Sequence, residues 1–445
     1  MNKRFLTLLL ALVAIVTGSK AQTDSETPLT LEALETTIVT ISNPREITTF
    51  YYQRNDKANV TVNYTALKGS NVTSIRLSKG DKLKLWGNCT QYGASYASQS
   101  TKIDCDGDCY IYGNIMSMFN LNSFPYEKLM NYDYTFAHLF KGNTHIKNHS
   151  SKALVLPATT LTKACYRGMF EGCTGLTTAP NLPALALTNS CYEEMFLGCT
   201  SLTTAPTIQA TTLGDSSCDQ MFKGCTSLNT APKLYATTMA PMCYKGMFAD
   251  CTSLSKAPEL PATTLAMWCY NGMFYGCKSL TAAPELPALI MAEGCYWMMF
   301  YGCTSLVIAP ALPATTLAKT CYYGMFYECT GLTQAPDLLA TKLESQSYNC
   351  MFYGCTKLDK VRCMATQLGS SYAAMWLKGV ASSGSFTKNP YASVEDLTNG
   401  EDGIPNGWKV SGFTDVPWNV RYDTNNDGVV NTADVVNLVN YIMSH

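Results

Sequence analysis

Along the middle of the chain, apolar residues return at a fixed long interval rather than at the spacing of a single helix or strand. Met-Phe occurs at 169/170, 195/196, 221/222, 247/248, 273/274, 299/300, 325/326 and 351/352, 26 residues apart each time. A cysteine follows three places after each Phe, from Cys173 to Cys355, and a leucine three places later again, from Leu176 to Leu358. An Ala-Pro pair closes the segment, ending at Pro180, Pro206, Pro232, Pro258, Pro284, Pro310 and Pro336. A period this strict predicts a solenoid. Each unit is one coil, and it buries its apolar face only against its neighbours. Phe170, Leu176, Leu182 and Leu187 are the expected core of one coil. At the strand spacing of about 4.8 Å, eight coils would make a rod of roughly 40 Å.

Within a coil the pattern separates two segments. In Cys-Tyr-x-x-Met-Phe-x-x-Cys, as at 165–173, apolar residues at offsets 0, 4, 5 and 8 fit helical turns facing one way. The Leu-Thr-x-Ala-Pro-x-Leu stretch that follows reads as extended. Proline cannot donate to a ladder, so it marks a corner, with a short parallel strand before it. Residues 136–143, Phe-Ala-His-Leu-Phe-Lys-Gly-Asn, imitate the Met-Phe segment, and Leu-Pro-Ala-Thr-Thr-Leu at 156–161 completes a degenerate first coil. Earlier in the chain the pattern turns strand-like. Residues 72–77 are β-tolerant and 82–86 alternate polar with apolar, which predicts a small β-domain, such as a sandwich. After Cys363 the period is lost, and 364–412, with the turn-rich stretch 403–408, reads as a C-terminal cap.

Composition adds the compartment. Asn2-Lys3-Arg4 precede an apolar run from Phe5 to Val16, and Ser19-Lys20-Ala21 supplies small residues at a cleavage site, so 1–21 reads as a secretory signal peptide. That run is too short for the ~20 residues of a membrane-spanning helix, and no other stretch could span a membrane. With net charge −1 and 15% charged residues among 445, the chain lacks the basic excess of a nucleic-acid binder. In an exported chain, 20 cysteines favour disulfides. Seven coils carry a first cysteine, Cys165, Cys191, Cys218, Cys243, Cys269, Cys295 and Cys321, and an eighth has Cys350. One intra-coil disulfide per repeat is the expectation, with a buried free-thiol ladder as the alternative. An ideal helix holds residues eight apart about 12 Å from each other along its axis, beyond the ~4.4–6.8 Å of a bridge, so a disulfide requires the segment to turn back. Cys105 and Cys109, which bracket Asp106-Gly107-Asp108, are expected to pair across a turn of solvated aspartates. His145 and His149 read as solvated loop residues.

Several segments carry a family resemblance. Met-Phe-Tyr-Gly-Cys-Thr-Ser-Leu at 299–306, and Leu-Pro-Ala-Thr-Thr-Leu-Ala at 260–266 and 312–318, are similar to segments of the BspA-like leucine-rich repeat surface proteins of Bacteroidetes-type bacteria. So are Leu-Ser-Lys-Gly-Asp-Lys-Leu at 77–83 and Tyr-Gly-Asn-Ile-Met-Ser at 112–117. The resemblance covers most of 28–412. It implies a leucine-rich repeat architecture and a surface or adhesion-type protein.

The tail carries the sharpest chemical motif. Asp423, Asn425, Asp427, Asn431 and Asp434 place side-chain oxygens at positions 1, 3, 5, 9 and 12 of a calcium loop. Gly428 supplies the sharp turn and Val429 its backbone carbonyl. Val435, Val436, Leu438, Val439 and Ile442 give the following helix an apolar face. Without a first helix, the loop resembles a single dockerin repeat, which implies calcium and a cohesin-like partner. Dockerins carry two such loops, and one is visible here.

The expected organisation is therefore a signal peptide (1–21), an N-terminal β-rich domain (22–125), a leucine-rich repeat solenoid of short parallel strands and helical turns (126–363), a cap and linker (364–416) and a dockerin-like calcium-binding loop-helix (417–445). The expected function is a secreted or cell-surface, non-catalytic adhesion scaffold for protein or glycan ligands. Tyrosine rows at Tyr166, Tyr192, Tyr244, Tyr270, Tyr296, Tyr322 and at Tyr275, Tyr301, Tyr327, Tyr353 are candidate contacts. The alternative is a dockerin-bearing component of a polysaccharide-degrading system. That would need two carboxylates in a cleft. Glu259, Glu285 and Asp337 instead share one coil position, and no break in the period is apparent that would build a pocket.

Overall fold

The computed structural model describes residues 26–44, 49–63, 71–88, 91–119, 128–129, 132–392, 397 and 402–412. The segments read as signal peptide and calcium loop lie outside the described residues. The chain divides into two compact units, residues 1–210 and 211–445.

The first unit begins with eight strands in antiparallel pairing. They are β1 (Leu29–Ala33), β2 (Thr37–Ser42), β3 (Thr49–Arg54), β4 (Val60–Asn63), β5 (Val72–Leu77), β6 (Lys82–Gly87), β7 (Lys102–Cys105) and β8 (Cys109–Asn114). β5-β2-β7 form one sheet, and the other runs β8-β1-β6-β3-β4. Alternation does the expected work. In β6, Leu83 and Leu85 are buried while Lys82 and Lys84 keep access to water. The outer edge of β8 is where the repeat begins. β9 (Ile146–Asn148) and β10 (Leu154–Val155), both from the first coil, pair with β8 in parallel. The β-domain thus gives the coils their first template.

The turn at 105–109 leaves Asp106 exposed, as expected, and both aspartates also hold neighbouring elements. Asp106 accepts hydrogen bonds from the Ile38 amide at 2.6 Å and the Thr37 hydroxyl at 3.1 Å. Asp108 pairs with Lys147 and, at 3.3 Å, with His145 of the first coil. Cys105 and Cys109 are buried free thiols rather than a disulfide. The Cys105 thiol donates to the Cys109 sulfur, which holds the Cys109 pKa down and pushes that of Cys105 up.

In the coils, the Cys-Tyr-x-x-Met-Phe-x-x-Cys segment is not helical. Every fourth residue has positive φ: Met242 at 55°, Gly246 at 57° and Asp250 at 59° in one coil, with Trp268, Gly272 and Gly276 in the next. Between these points the amides alternate. Lys245, Met247, Ala249 and Cys251 bond three residues back, at 3.0–3.2 Å. Tyr244, Gly246, Phe248 and Asp250 reach instead into the following coil, to the carbonyls of Cys269, Asn271, Met273 and Tyr275 at 2.6–3.0 Å. The apolar offsets 0, 4, 5 and 8 fit this four-residue turn as well as they fit a helix, which is why the two are easily confused. Left-handed conformation at every fourth residue is incompatible with a continuous helix. Among the described residues helix is confined to short pieces such as Ile115–Met118 and Ser370–Ala373.

The threonine-rich stretches meet mostly through single parallel bridges, such as Thr178↔Thr204 and Thr264↔Ile290. Longer strands appear late in the second unit. β11 (Gln334–Leu338), β12 (Lys360–Cys363), β13 (Ser385–Lys388) and β14 (Lys409–Gly412) form a four-stranded parallel sheet. Lys360 aligns with Ser385, and Ser385 with Lys409, so the segment read as a cap keeps coiling with turns of 25 and 24 residues.

The core is a set of ladders. Phe248, Phe274, Phe300 and Phe326 are fully buried, and each stacks on the next at 5.6–5.9 Å. Tyr244, Tyr270, Tyr296 and Tyr322 form a second buried stack at 5.8–6.1 Å. The cysteines are free thiols, so the intra-coil disulfide is not formed. Each thiol has as its nearest kin the equivalent residue of the adjacent coil: Cys165 beside Cys191, Cys277 between Cys251 and Cys303. The second cysteine of a coil also spends its proton on a hydrogen bond. Cys251 donates to the Phe222 carbonyl at 3.1 Å and Cys303 to that of Phe274 at 3.1 Å.

One ladder position in the first unit is expensive. His138 sits at φ 62°, 3% exposed against Gly168, and neither ring nitrogen has a hydrogen-bond partner. Burial, with smaller contributions from Lys141, Arg167 and Lys102, pushes its pKa down to about 4. The unfolded chain takes up this proton first, near pH 6.5. Stability is therefore complete above that pH and falls as pH drops from about 6.5 to about 4, by roughly 3 kcal/mol in all. His138→Asn removes the titration and tolerates positive φ. Its acid-unfolding midpoint, followed by circular dichroism, is expected to lie below that of the parent, and an unchanged midpoint would reject this role for His138.

Candidate binding groove

The coil period is broken at one place in the first unit. From Phe140 to Phe170 the interval is 30 residues rather than 26, so the first coil carries four extra residues between Asn143 and Leu156. They swing out as a loop between β9 and β10. A cavity of about 600 Å³ opens between 148–157 and 178–183 of the next coil. This is the residue set that the repeat pattern conceals. The lengthened interval was its only trace in the sequence.

The loop is held rigidly. The Asn148 side-chain oxygen accepts from the Thr177 and Thr178 amides at 2.8 and 3.0 Å, and its amide donates to the Thr178 carbonyl at 2.9 Å. Asn148 thereby replaces the backbone rung that the insertion displaces. His149 Nδ1 accepts from the Ser151 and Lys152 amides at 3.0 and 3.2 Å, while its ring packs edge-on to Tyr110 and Tyr112 at 4.9 and 5.4 Å. His149 is thus a structural part of the loop rather than a solvated residue. Lys152 lies over the Tyr112 ring at 4.2 Å and bonds Glu32 at 3.3 Å. The Tyr112 hydroxyl donates to the same carboxylate at 2.8 Å. The Glu32 pKa is lowered: desolvation opposes the shift, and the Tyr112 hydrogen bond and the Lys152 charge outweigh it.

The groove has an apolar floor and a polar rim. Leu154, Leu156, Ala179 and Pro180 are buried in the lining, and Ser150, Ser151, Thr178 and Asn181 are exposed around it. Lys152 is the one charged side chain among the lining residues.

The tyrosine rows divide. Tyr166 and Tyr192, and the stack from Tyr244 to Tyr322, are core. The second row is half-buried at the surface. Tyr275, Tyr301, Tyr327 and Tyr353 stack face to face at 4.4–4.7 Å with planes within 11° of parallel. Trp297 and Tyr323 stack beside them at 4.3 Å. Stacking covers the ring faces, so this row presents edges and hydroxyls outward. A sugar that packs its C–H face on an aromatic ring finds no open face within the stack.

Glu259 and Glu285 are exposed, and Asp337 is half-exposed in an ion pair with Arg362 at 2.8 Å. No helix among the described residues is long and apolar enough to cross a membrane. The predicted calcium ligands, Asp423, Asn425, Asp427, Val429, Asn431 and Asp434, lie outside the described residues. Compared with models of protein families, with curated proteins and with solved structures, the chain matches none of them.

Proposed function

We propose that the protein is an exported, surface-presented binding scaffold with no catalytic role, whose C-terminal loop takes up calcium. The observation that carries this reading is the groove. The insertion in the first coil builds a partly apolar cavity with a polar rim, the usual character of a ligand site. The apparent signal peptide and the likeness to BspA-like surface proteins support the location. The oxygen ligands at Asp423, Asn425, Asp427, Asn431 and Asp434, with the Val429 carbonyl, support calcium. The dockerin-like spacing supports docking of the tail to a cohesin-like protein or to another calcium-loop partner. Protein or glycan is the ligand class of the solenoid.

Glycan-array and pull-down screening of residues 22–445, with and without calcium, tests this. Calcium uptake followed by titration calorimetry should vanish in Asp423→Ala and Asp427→Ala, together with any calcium-dependent capture. Capture by the solenoid should survive both changes. Turnover of a polysaccharide substrate, or calcium uptake untouched by both substitutions, would count against the reading.

A further inference from the structure

The groove lies against an open strand edge. In the parallel pairing of Leu154 with Gly113 and Val155 with Asn114, the Gly113 amide bonds the Ala153 carbonyl at 2.9 Å. Alternation along a parallel strand then turns both polar groups of Val155 toward β8, and the N–H and C=O of Leu154 away from it, toward the groove. One coil further on, at the equivalent position, Leu182 bridges Ile208. Among the described residues no such rung joins Leu156 to Leu182, the pair 26 residues apart at the same coil position, and no backbone hydrogen bond joins 154–156 to 179–183. Pro180 and Pro183 opposite have no N–H to offer. Leu154 thus turns one N–H and one C=O toward the cavity, with no backbone partner across it.

We propose that this groove binds a short extended peptide carrying an acidic residue, which adds as a strand along Leu154 and sets its carboxylate at Lys152. The proposal rests on the binding-scaffold reading and names the ligand class of its site. Main-chain hydrogen bonds to an open edge, with pockets for alternate side chains, are a general mode of peptide capture. The apolar floor of Leu156, Ala179 and Pro180 takes the side chain that points inward. The charge fits as well. The lining holds a cation and no acid, and Glu32 occupies only one of the three donors of the Lys152 ammonium, whose side chain is 34% exposed. The cavity, about 600 Å³, lies within the ~300–1,000 Å³ of small-ligand sites, which limits the occupant to a short segment.

The test is selection of displayed random heptapeptides on residues 22–445. Enriched peptides should combine an Asp or Glu with apolar residues at alternate positions. A synthetic copy of the strongest should bind at least about tenfold more weakly to Lys152→Met and to Asn181→Trp, an exposed change that fills the groove. N-methylation of its alternate amides should weaken it by a similar factor, which contact through side chains alone would not produce. Unchanged thermal unfolding of both variants keeps the comparison fair. No enrichment, peptides indifferent to Asn181→Trp, or N-methylated peptides that bind as well as the parent would each overturn the proposal. If a glycan panel is captured by the solenoid while peptides are not, the peptide assignment falls and the scaffold reading stands. If neither is captured, both fall.

Discussion

Moved from native buffer into denaturant without reductant, the protein should go from almost no reactive thiols to its full set. Every described cysteine is buried and free. Thiolate, not thiol, reacts with alkylating reagents, and an unperturbed cysteine titrates near pH 8.5. Burial pushes Cys191, Cys199, Cys251, Cys295 and Cys355 up to about 12. At pH 8 the native ladder therefore holds very little thiolate, and it is screened from reagent as well. Unfolding removes both protections together. Mass spectrometry after alkylation would count the modified sites in each state. A near-zero count in denaturant would reject the free-thiol ladder. Since the neighbours of each sulfur are in adjacent coils, bridges found there should join equivalent cysteines of successive coils, not the two cysteines of one.

Phe274→Ala should be among the most damaging single changes in the second unit. The ring is fully buried between Phe248 at 5.9 Å and Phe300 at 5.6 Å, with planes within 8° of parallel on both sides. Truncation loses its transfer energy and leaves a cavity that stacked neighbours cannot close without breaking register, a cost of about 3–5 kcal/mol. In a repeat array, stability is a sum of coil terms and nearest-neighbour interfaces. Removing one ring weakens two interfaces at once, so denaturant unfolding should also become less cooperative. Tyr275→Ala, one residue later but half-buried, should cost clearly less. Equal losses at the two positions would mean that the inner and outer ladders do not differ as described.

The repeat was the most legible part of the chain because it depends on side-chain identity at a fixed interval. Phe170, Leu176, Leu182 and Leu187 were expected in the core and are buried there. The strands at 72–77 and 82–87 were legible for a similar reason, since alternation survives in a sheet with one buried face. The backbone of the Met-Phe segment was not. Residues such as Trp268, Asp250 and Glu328 adopt positive φ, which their side chains do not advertise. Their conformation is imposed by the hydrogen bonds of the coils on either side, and no single-segment pattern records that. The cysteine pairing was hidden for the same reason: two cysteines recur in each coil, as a pair used together would, whereas stacking makes residue 277 a neighbour of 251 and 303. The groove was hidden differently. Its trace was a count, 30 residues in place of 26 between Phe140 and Phe170, inside a coil that already looked degenerate.

The alternating amides of the coils also have a mechanical meaning. Bonds from Tyr244, Gly246, Phe248 and Asp250 all point to the following coil, so the connections holding one coil to the next lie along the direction of stacking. Tension applied along that direction is carried in series by every set, so the weakest set parts first while the others hold. The coils of residues 211–392 would then give way one at a time, each releasing about 90 Å of extended chain and dissipating work before the next one parts. A protein tethered at one end and gripped at the other would lengthen in steps under flow instead of tearing loose in a single event.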